Sequence, residues 1–208
     1  IDWITKQSGL DKIKIEEPNK FLTQYLRYRG EMSWDTETSS LDHFNPSFKV
    51  GCLTLTFDGI DGYYLPFEKI DKQLLSKFFE NKYQITANGK YDVKAMLREG
   101  VQNSRVDEDI TILGHLLNTE RQKNGLKTLS WFVGLGGYDS ELDSYFKKYR
   151  CNTYLDIPEN ILMNYAITDA IATFRIYKWL MNDLVPLQPD TYSTYKKYVI
   201  PVIPVFIK

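Results

Sequence analysis

Histidine and cysteine are scarce: the 208-residue chain has two of each. Cys52 and Cys151 stand far apart, so they make neither a disulfide framework nor a four-ligand zinc site. His43 and His115 have no second histidine or cysteine at ligand spacing, and no Ser/His/Asp nucleophile can be assembled around them. Charge of one sign is also lacking. Lys plus Arg is 26 and Asp plus Glu is 27, a net charge of -1, so any grip on a polyanion must be local. The uncharged stretch from Tyr198 to Ile207 is broken by Pro201 and Pro204 and falls far short of the roughly 20 apolar residues that span a bilayer. Ile1 to Gly9 has no apolar leader core. Gly134 to Gly137 has neither the Lys-Ser/Thr of a phosphate-binding loop nor a full dinucleotide pattern, and reads as a turn between helices. These absences predict a reducing compartment, without secretion and without membrane contact.

What is present is a core's worth of apolar residues, 43% of the chain. Phe48 to Phe57 alternates apolar residues with Thr54 and Thr56, turn residues Asp58 to Gly62 follow, and Tyr63 to Phe67 completes a predicted β-hairpin. Leu74, Leu75, Phe78 and Phe79 fall at helical spacing behind an Asp71 cap. A short strand is predicted at Tyr83–Ala87, then a helix over Lys90–Glu99 stopped by Gly100. Further helices are predicted at Glu108–Leu117, Leu126–Val133 and Glu141–Tyr149, with a long one from Pro158 toward Leu184. Strands crowd the first half and helices the second, which predicts one α+β domain: a mixed sheet with helices on its faces. Pro186 to Pro189 reads as a hinge into Tyr192–Lys208, whose apolar tail has no evident partner inside the domain; the chain is expected to continue beyond it.

Three acidic positions need explaining. Asp35 and Glu37 lie two apart, so on a strand they share a face, although about one such triplet is expected by chance in a chain with 27 Asp and Glu. Asp92 opens a helix, where the helix dipole alone favours a carboxylate by roughly 0.3–1 kcal/mol. Tyr165 and Asp169 are one helical turn apart, beside Ala166, Ala170 and Ala172, whose small size suits a face that approaches something closely. Each has a bland reading as a solvated or dipole-paired group. Together, four acids converging from a strand, a helix start and a late helix would repel unless hard cations such as Mg²⁺ or Mn²⁺ neutralised them. Two such ions could clamp the attacking and leaving oxygens of a phosphodiester, the arrangement of a nuclease.

The runs Asp35-Thr-Glu-Thr-Ser-Ser-Leu41-Asp42, Asn88-x-Lys90-Tyr91-Asp92 and Tyr165-x-x-x-Asp169 resemble, in order and spacing, the three motifs of the 3′ to 5′ proofreading domain of family A DNA polymerases, the tyrosine branch of the DEDD exonucleases. Val106 to Leu117 and Gly125-Leu-Lys-Thr-Leu129 resemble the helices between the second and third motifs. Tyr198 to Val205 is similar to the proline-marked segment leading into a polymerase domain. The resemblance implies a ribonuclease H-like mixed β-sheet flanked by α-helices, an exonuclease domain over 1–187, and a connection over 188–208 into a polymerase domain. It implies that Asp35, Glu37, Asp92 and Asp169 hold two Mg²⁺ or Mn²⁺ ions and that Tyr165 orients the attacking water. Leu41 matches the residue that packs among terminal bases, and Thr38, Asn88 and Lys90 lie in the motifs as substrate-binding residues. Implied partners are a single-stranded or frayed DNA 3′ end and the polymerase domain; the implied compartment is the cytoplasm of a bacterial or phage-infected cell, or an organelle matrix. Ala87, where a polar residue is common, and the Gly134–Tyr138 loop depart from the pattern.

Two other readings stand beside this one: an RNA-trimming relative of ribonuclease D, and a silent DNA-holding scaffold, which the presence of all four acids disfavours. Lys90, Lys94, Arg98, Arg121, Lys123 and Lys127 are either a solvated face or guides for a phosphate backbone. Tyr138, Tyr145 and Tyr149 either pack or stack on bases.

Overall fold

The computed structural model describes residues 9–207; Ile1 to Ser8, part of the stretch read for a leader, and Lys208 lie outside them. Six strands form one mixed sheet: β1 (Asp11–Lys14), β2 (Glu31–Thr38), β3 (Val50–Thr56), β4 (Asp61–Pro66), β5 (Tyr83–Thr86) and β6 (Glu108–Asp109), in spatial order β1-β4-β3-β2-β5-β6. The hairpin is β3–β4, antiparallel with Thr54 opposite Tyr64. β2 runs antiparallel to β3 and parallel to β5, so the strand carrying Asp35 and Glu37 sits inside the sheet.

Strand alternation sends side chains into two cores. Leu53, Leu55, Leu65, Met32 and Trp34 pack under α1 (Pro18–Gln24), α2 (Lys72–Glu80) and α3 (Lys90–Arg98). Cys52, Tyr64 and Ile85 pack on the other face under α4 (Ile110–Leu117), α5 (Leu126–Leu129) and α7 (Glu159–Trp179). α2 begins as its sequence indicates, with the Asp71 carboxylate accepting from the N–H groups of Gln73 and Leu74. α6 (Ser140–Tyr149) follows the glycine-rich turn.

α7 lies unusually close to the sheet, and its alanines are the reason. The Ser33 hydroxyl donates to the Ala170 carbonyl at 2.6 Å and the Thr54 hydroxyl to the Ala166 carbonyl at 3.0 Å, so buried polar groups of β2 and β3 are satisfied by helix backbone. A Cβ at Gly62 would stand 2.3 Å from Ile167 Cγ2, so β4 needs glycine at that crossing. This close crossing brings Asp169 over β2.

Three differences from the sequence reading matter. β1 and α1 were not anticipated; they are short and carry little periodicity. The predicted helix at Glu108 starts later, because Asp109 is extended (φ -124°) and caps α4 by accepting from Thr111 and Ile112. The C-terminal tail does have partners within the domain. After α8 (Pro189–Thr194), Tyr195 is buried and its hydroxyl accepts from the Asp109 N–H at 2.7 Å, while Ile203 is buried in the core under α3.

Candidate metal and nuclease site

β2 supplies two acids and α7 the third. Asp35 and Glu37 point from the same face of β2 toward α7, where Asp169 waits one turn past Tyr165. One carboxylate oxygen from each of Asp35, Glu37 and Asp169 lies within 4.8 Å of the others, an oxygen-only donor set that suits a hard divalent ion. Glu37 and Asp169 retain only 7% and 5% exposure, whereas Asp35 faces the cleft. That cleft, about 570 Å³, is lined by all four acids together with Thr38, Leu41, Ala87, Asn88 and Tyr165.

Asp92 lines the cleft but is not among the three converging acids. Its carboxylate accepts from the Thr36 N–H at 3.1 Å and from the Thr36 hydroxyl at 2.6 Å. Thr36 lies between the two acids in β2 and faces the opposite side of the strand, so α3 delivers Asp92 to the strand from the other layer. The loop before α3 is clamped by Asp109, which accepts from the N–H groups of Asn88 (3.2 Å) and Gly89 (2.9 Å). Asn88 is left-handed (φ 59°), and a Cβ at Gly89 would fall 2.1 Å from Thr86 Oγ1, so this turn admits little substitution.

Burial pushes the Asp35 and Glu37 carboxyls well above the usual carboxylate range, and the surrounding acids add to the shift while Lys127 opposes it. Burial also raises Asp92 to about 7, with the two Thr36 hydrogen bonds pulling the other way. Positive charge beside the cluster opposes this shift. One such charge is already there: Lys127 donates to Asp169, and the Tyr138 hydroxyl donates to the same oxygen. The Tyr165 hydroxyl is likewise raised, first by burial and then by Asp169 and Glu37. Its ring lies 5.9 Å from that of Tyr138 and meets Tyr154 edge-on at 5.8 Å.

The remaining sequence-predicted residues separate. Thr38 pairs with the Tyr91 hydroxyl and donates to the Ser40 carbonyl at 3.0 Å, at the cleft wall. Leu41 is 86% exposed at the mouth. Lys90 does not line the cleft; its ammonium lies 5.6 Å from the Phe206 ring. Arg98 is occupied by the Asn45 carbonyl (2.6 Å), and Arg121 stands over the stacked Phe132 and Trp179 rings. His115 is exposed beside Asn124. Thr36, Asp109, Lys127 and Tyr138 are the site residues that motif spacing did not single out. Composition offers Lys127 as a guide for a phosphate backbone and Tyr138 as a stacking residue, but nothing in the sequence places either beside Asp169.

An acid cluster at the centre of a mixed sheet of this order, under a helix that carries the last aspartate, defines a nuclease of ribonuclease H-like architecture. The chain belongs to the 3′-5′ exonuclease family, whose model matches residues 3–185. Among solved structures it is similar to Brucella melitensis NrnC bound to pGG (TM-score 0.66, 15% identity, covering 93% of this chain and 88% of that one). It is also similar to the Aedes aegypti Nibbler EXO domain (TM-score 0.59, 16% identity, 98% and 97% covered). A third likeness is to Trypanosoma brucei RNase D in complex with RNA U12 (TM-score 0.64, 14% identity, 94% and 72% covered). NrnC has also been solved with bound Mg²⁺. No curated protein matches the sequence. No helix among the described residues is long and apolar enough to cross a membrane.

Proposed function

We propose that the chain is a divalent-metal-dependent 3′ to 5′ exonuclease that releases nucleoside monophosphates from single-stranded or frayed DNA ends, as the proofreading domain of a family A DNA polymerase. The observation that carries this reading is the convergence of Asp35, Glu37 and Asp169 within 4.8 Å at the floor of an open cleft, in a chain of the 3′-5′ exonuclease family. Asp35, Glu37 and Asp169 hold Mg²⁺ or Mn²⁺, and Asp92, on the same cleft, completes a set for two ions. When bound, the ions supply the positive charge that activates a water and offsets charge on the phosphate.

The protein's own groups do the positioning. The Tyr165 hydroxyl, one turn from Asp169, orients the attacking water without surrendering its proton, which burial and neighbouring acids hold firmly. Leu41 at the mouth packs against the terminal bases, while Thr38 and Asn88 line the path of the last nucleotide. Lys90 stands outside the cleft and meets the backbone further along the strand.

RNA trimming is the second reading, favoured by the likeness to RNase D solved with RNA U12 and to NrnC solved with pGG. The DNA reading rests on the three motifs taken together and on the proline-marked Tyr198–Val205 run. The test is a pair of 5′-labelled oligonucleotides, DNA and RNA, incubated with Mg²⁺ and with chelator. A metal-dependent ladder shortening from the 3′ end, faster on DNA, is expected. A faster RNA ladder would move the assignment to RNA trimming, and no ladder on either would overturn the nuclease reading.

A further inference from the structure

Lys127 already stands where positive charge is needed. Its ammonium donates to Asp169, donates to the Tyr138 hydroxyl at 2.7 Å, and lies 3.9 Å from the centroid of the Tyr165 ring and 4.3 Å from that of Tyr138. Two ring faces and a hydroxyl thus form a slot whose open end is a carboxylate. Lys127 comes from α5, a four-residue helix between Gly125 and the glycine-rich turn, and its side chain keeps 36% exposure although Asp169 is almost fully covered.

We propose that Lys127 is the resident counter-cation of the metal-free site: it gives up Asp169 to the entering divalent ion and, still held by Tyr138 and the two rings, donates to a non-bridging oxygen of the scissile phosphate. The argument is competition for one group. Asp169 Oδ1, the atom that Lys127 and Tyr138 occupy, belongs to an acid of the converging triad, so an ion that bound the triad through this oxygen would contend with the ammonium for it. An ammonium has three N–H donors, and two are committed here. Loss of Asp169 as acceptor would free one of these, in a slot that keeps the nitrogen against the ring of Tyr165, a residue that lines the cleft. No bond to Lys127 is made or broken, and it acts by stabilising charge on the phosphate. Tyr138 is the positioning residue, acting through Lys127, which gives the Gly134–Tyr138 turn a purpose. A Cβ at Gly136 would fall 1.9 Å from the Trp131 ring, so the turn is packed tightly against its own aromatic neighbour.

This inference rests on the proposed nuclease reading, and its test separates the two. Lys127→Met keeps the aliphatic stem between the rings and removes the charge. Calorimetry with Mn²⁺ and DNA-free protein should show binding tightened at least threefold in Lys127→Met, and tightened in the same direction in Tyr138→Phe. At saturating Mn²⁺, kcat on a single-stranded oligonucleotide should fall at least tenfold in Lys127→Met and recover in part in Lys127→Arg. A third readout needs no loss-of-function variant: in wild-type protein labelled at lysine ¹³Cε, the Lys127 signal, assigned by its absence in Lys127→Arg, should move on adding Mg²⁺. Unchanged or weaker Mn²⁺ affinity in Lys127→Met, unchanged kcat, or a Lys127 signal that ignores Mg²⁺ would each overturn the proposal. Wild-type protein that neither binds Mn²⁺ nor shortens 3′ ends would instead sink the nuclease reading itself.

Discussion

Asp35 and Lys82 are opposite cases of charge placed in poor surroundings. Asp35 sits among Glu37, Asp92 and Asp169, which with burial raise its carboxyl far above the ordinary range. Asp35→Asn should therefore abolish excision, by a factor of about a thousand or more, while the metal-free protein melts at the same temperature or higher, because a source of repulsion has gone. Activity and a melting curve in chelator check this together; retained turnover would remove Asp35 from the site. Lys82 is fully buried, and its ammonium is met by the Tyr25 and Tyr28 carbonyls (3.0 and 3.3 Å) and the Phe78 ring rather than by a carboxylate. Burial lowers it to about 8. Between pH 8 and 10.5 the unfolded chain then holds a proton the folded one has released, so this residue's contribution to stability rises with pH across that window. Urea midpoints should show wild type gaining on Lys82→Met from pH 8 to 10; a constant difference would mean that Lys82 ionises normally. The Tyr165 hydroxyl gives a third residue-level test: Tyr165→Phe keeps the ring packing and should slow single-turnover excision roughly 5- to 150-fold, the worth of one hydrogen bond of about 1–3 kcal/mol in the transition state.

At the scale of elements, what was legible in the sequence is what local chemistry decides. The β3–β4 hairpin announces itself by alternation and turn residues, and α2 by Asp71 and the spacing of Leu75, Phe78 and Phe79. That Asp35, Glu37 and Asp169 meet, with Asp92 and Tyr165 on the same cleft, was legible only through motif order, since each residue has a local explanation alone. Illegible were the groups whose meaning is tertiary. Thr36 looks like one more strand threonine until α3 brings Asp92 against it, and Asp109 caps its own helix while also clamping the Asn88–Gly89 turn. The apolar tail misled because its partners are distant in sequence: Ile203 enters the core under α3, and the other anchors are polar. The buried Glu108 accepts from Tyr83 (2.5 Å), Tyr192 (2.7 Å) and Lys196 (3.0 Å), so α8 and its continuation are tied to the β5–β6 edge through one carboxylate. Lys196→Met should accordingly cost about 3 kcal/mol, the lower end for stranding a buried charge because Lys196 itself is partly exposed. Urea denaturation checks it. An unchanged midpoint would show that Glu108 does not depend on Lys196.

Over the whole molecule, the proposed choice between strand ends would be made at the loop that follows β2. Leu41 and Phe44 are 86% and 91% exposed, although burying such side chains is worth roughly 1.5–3 kcal/mol each. The loop that carries them is held in place: Phe44 N–H donates to Asp42 (2.9 Å), Ser47 N–H to Asn45 (2.9 Å), and Arg98 to the Asn45 carbonyl, with His43 between Phe48 and Tyr91. Two apolar groups are therefore held out at and beside the mouth of a cleft whose floor is acidic, which suits bases stacking at the entrance while the phosphate goes inward. A paired end must first open, at about 1.4 kcal/mol per step, so excision from a fully paired 3′ end should be slower than from a single strand by about tenfold for each step melted, with mismatched ends in between. Leu41→Ala should weaken handling of all three ends, raising KM for the oligonucleotide while leaving Mn²⁺ affinity intact, and Phe44→Ala should act mainly on the paired end. The comparison is made at fixed Mg²⁺ on single-stranded, mismatched and paired DNA, with RNA of the same sequence alongside. Equal rates on the three DNA ends would show that the cleft does not sense melting, and would remove the proofreading assignment while leaving a 3′ to 5′ nuclease in place.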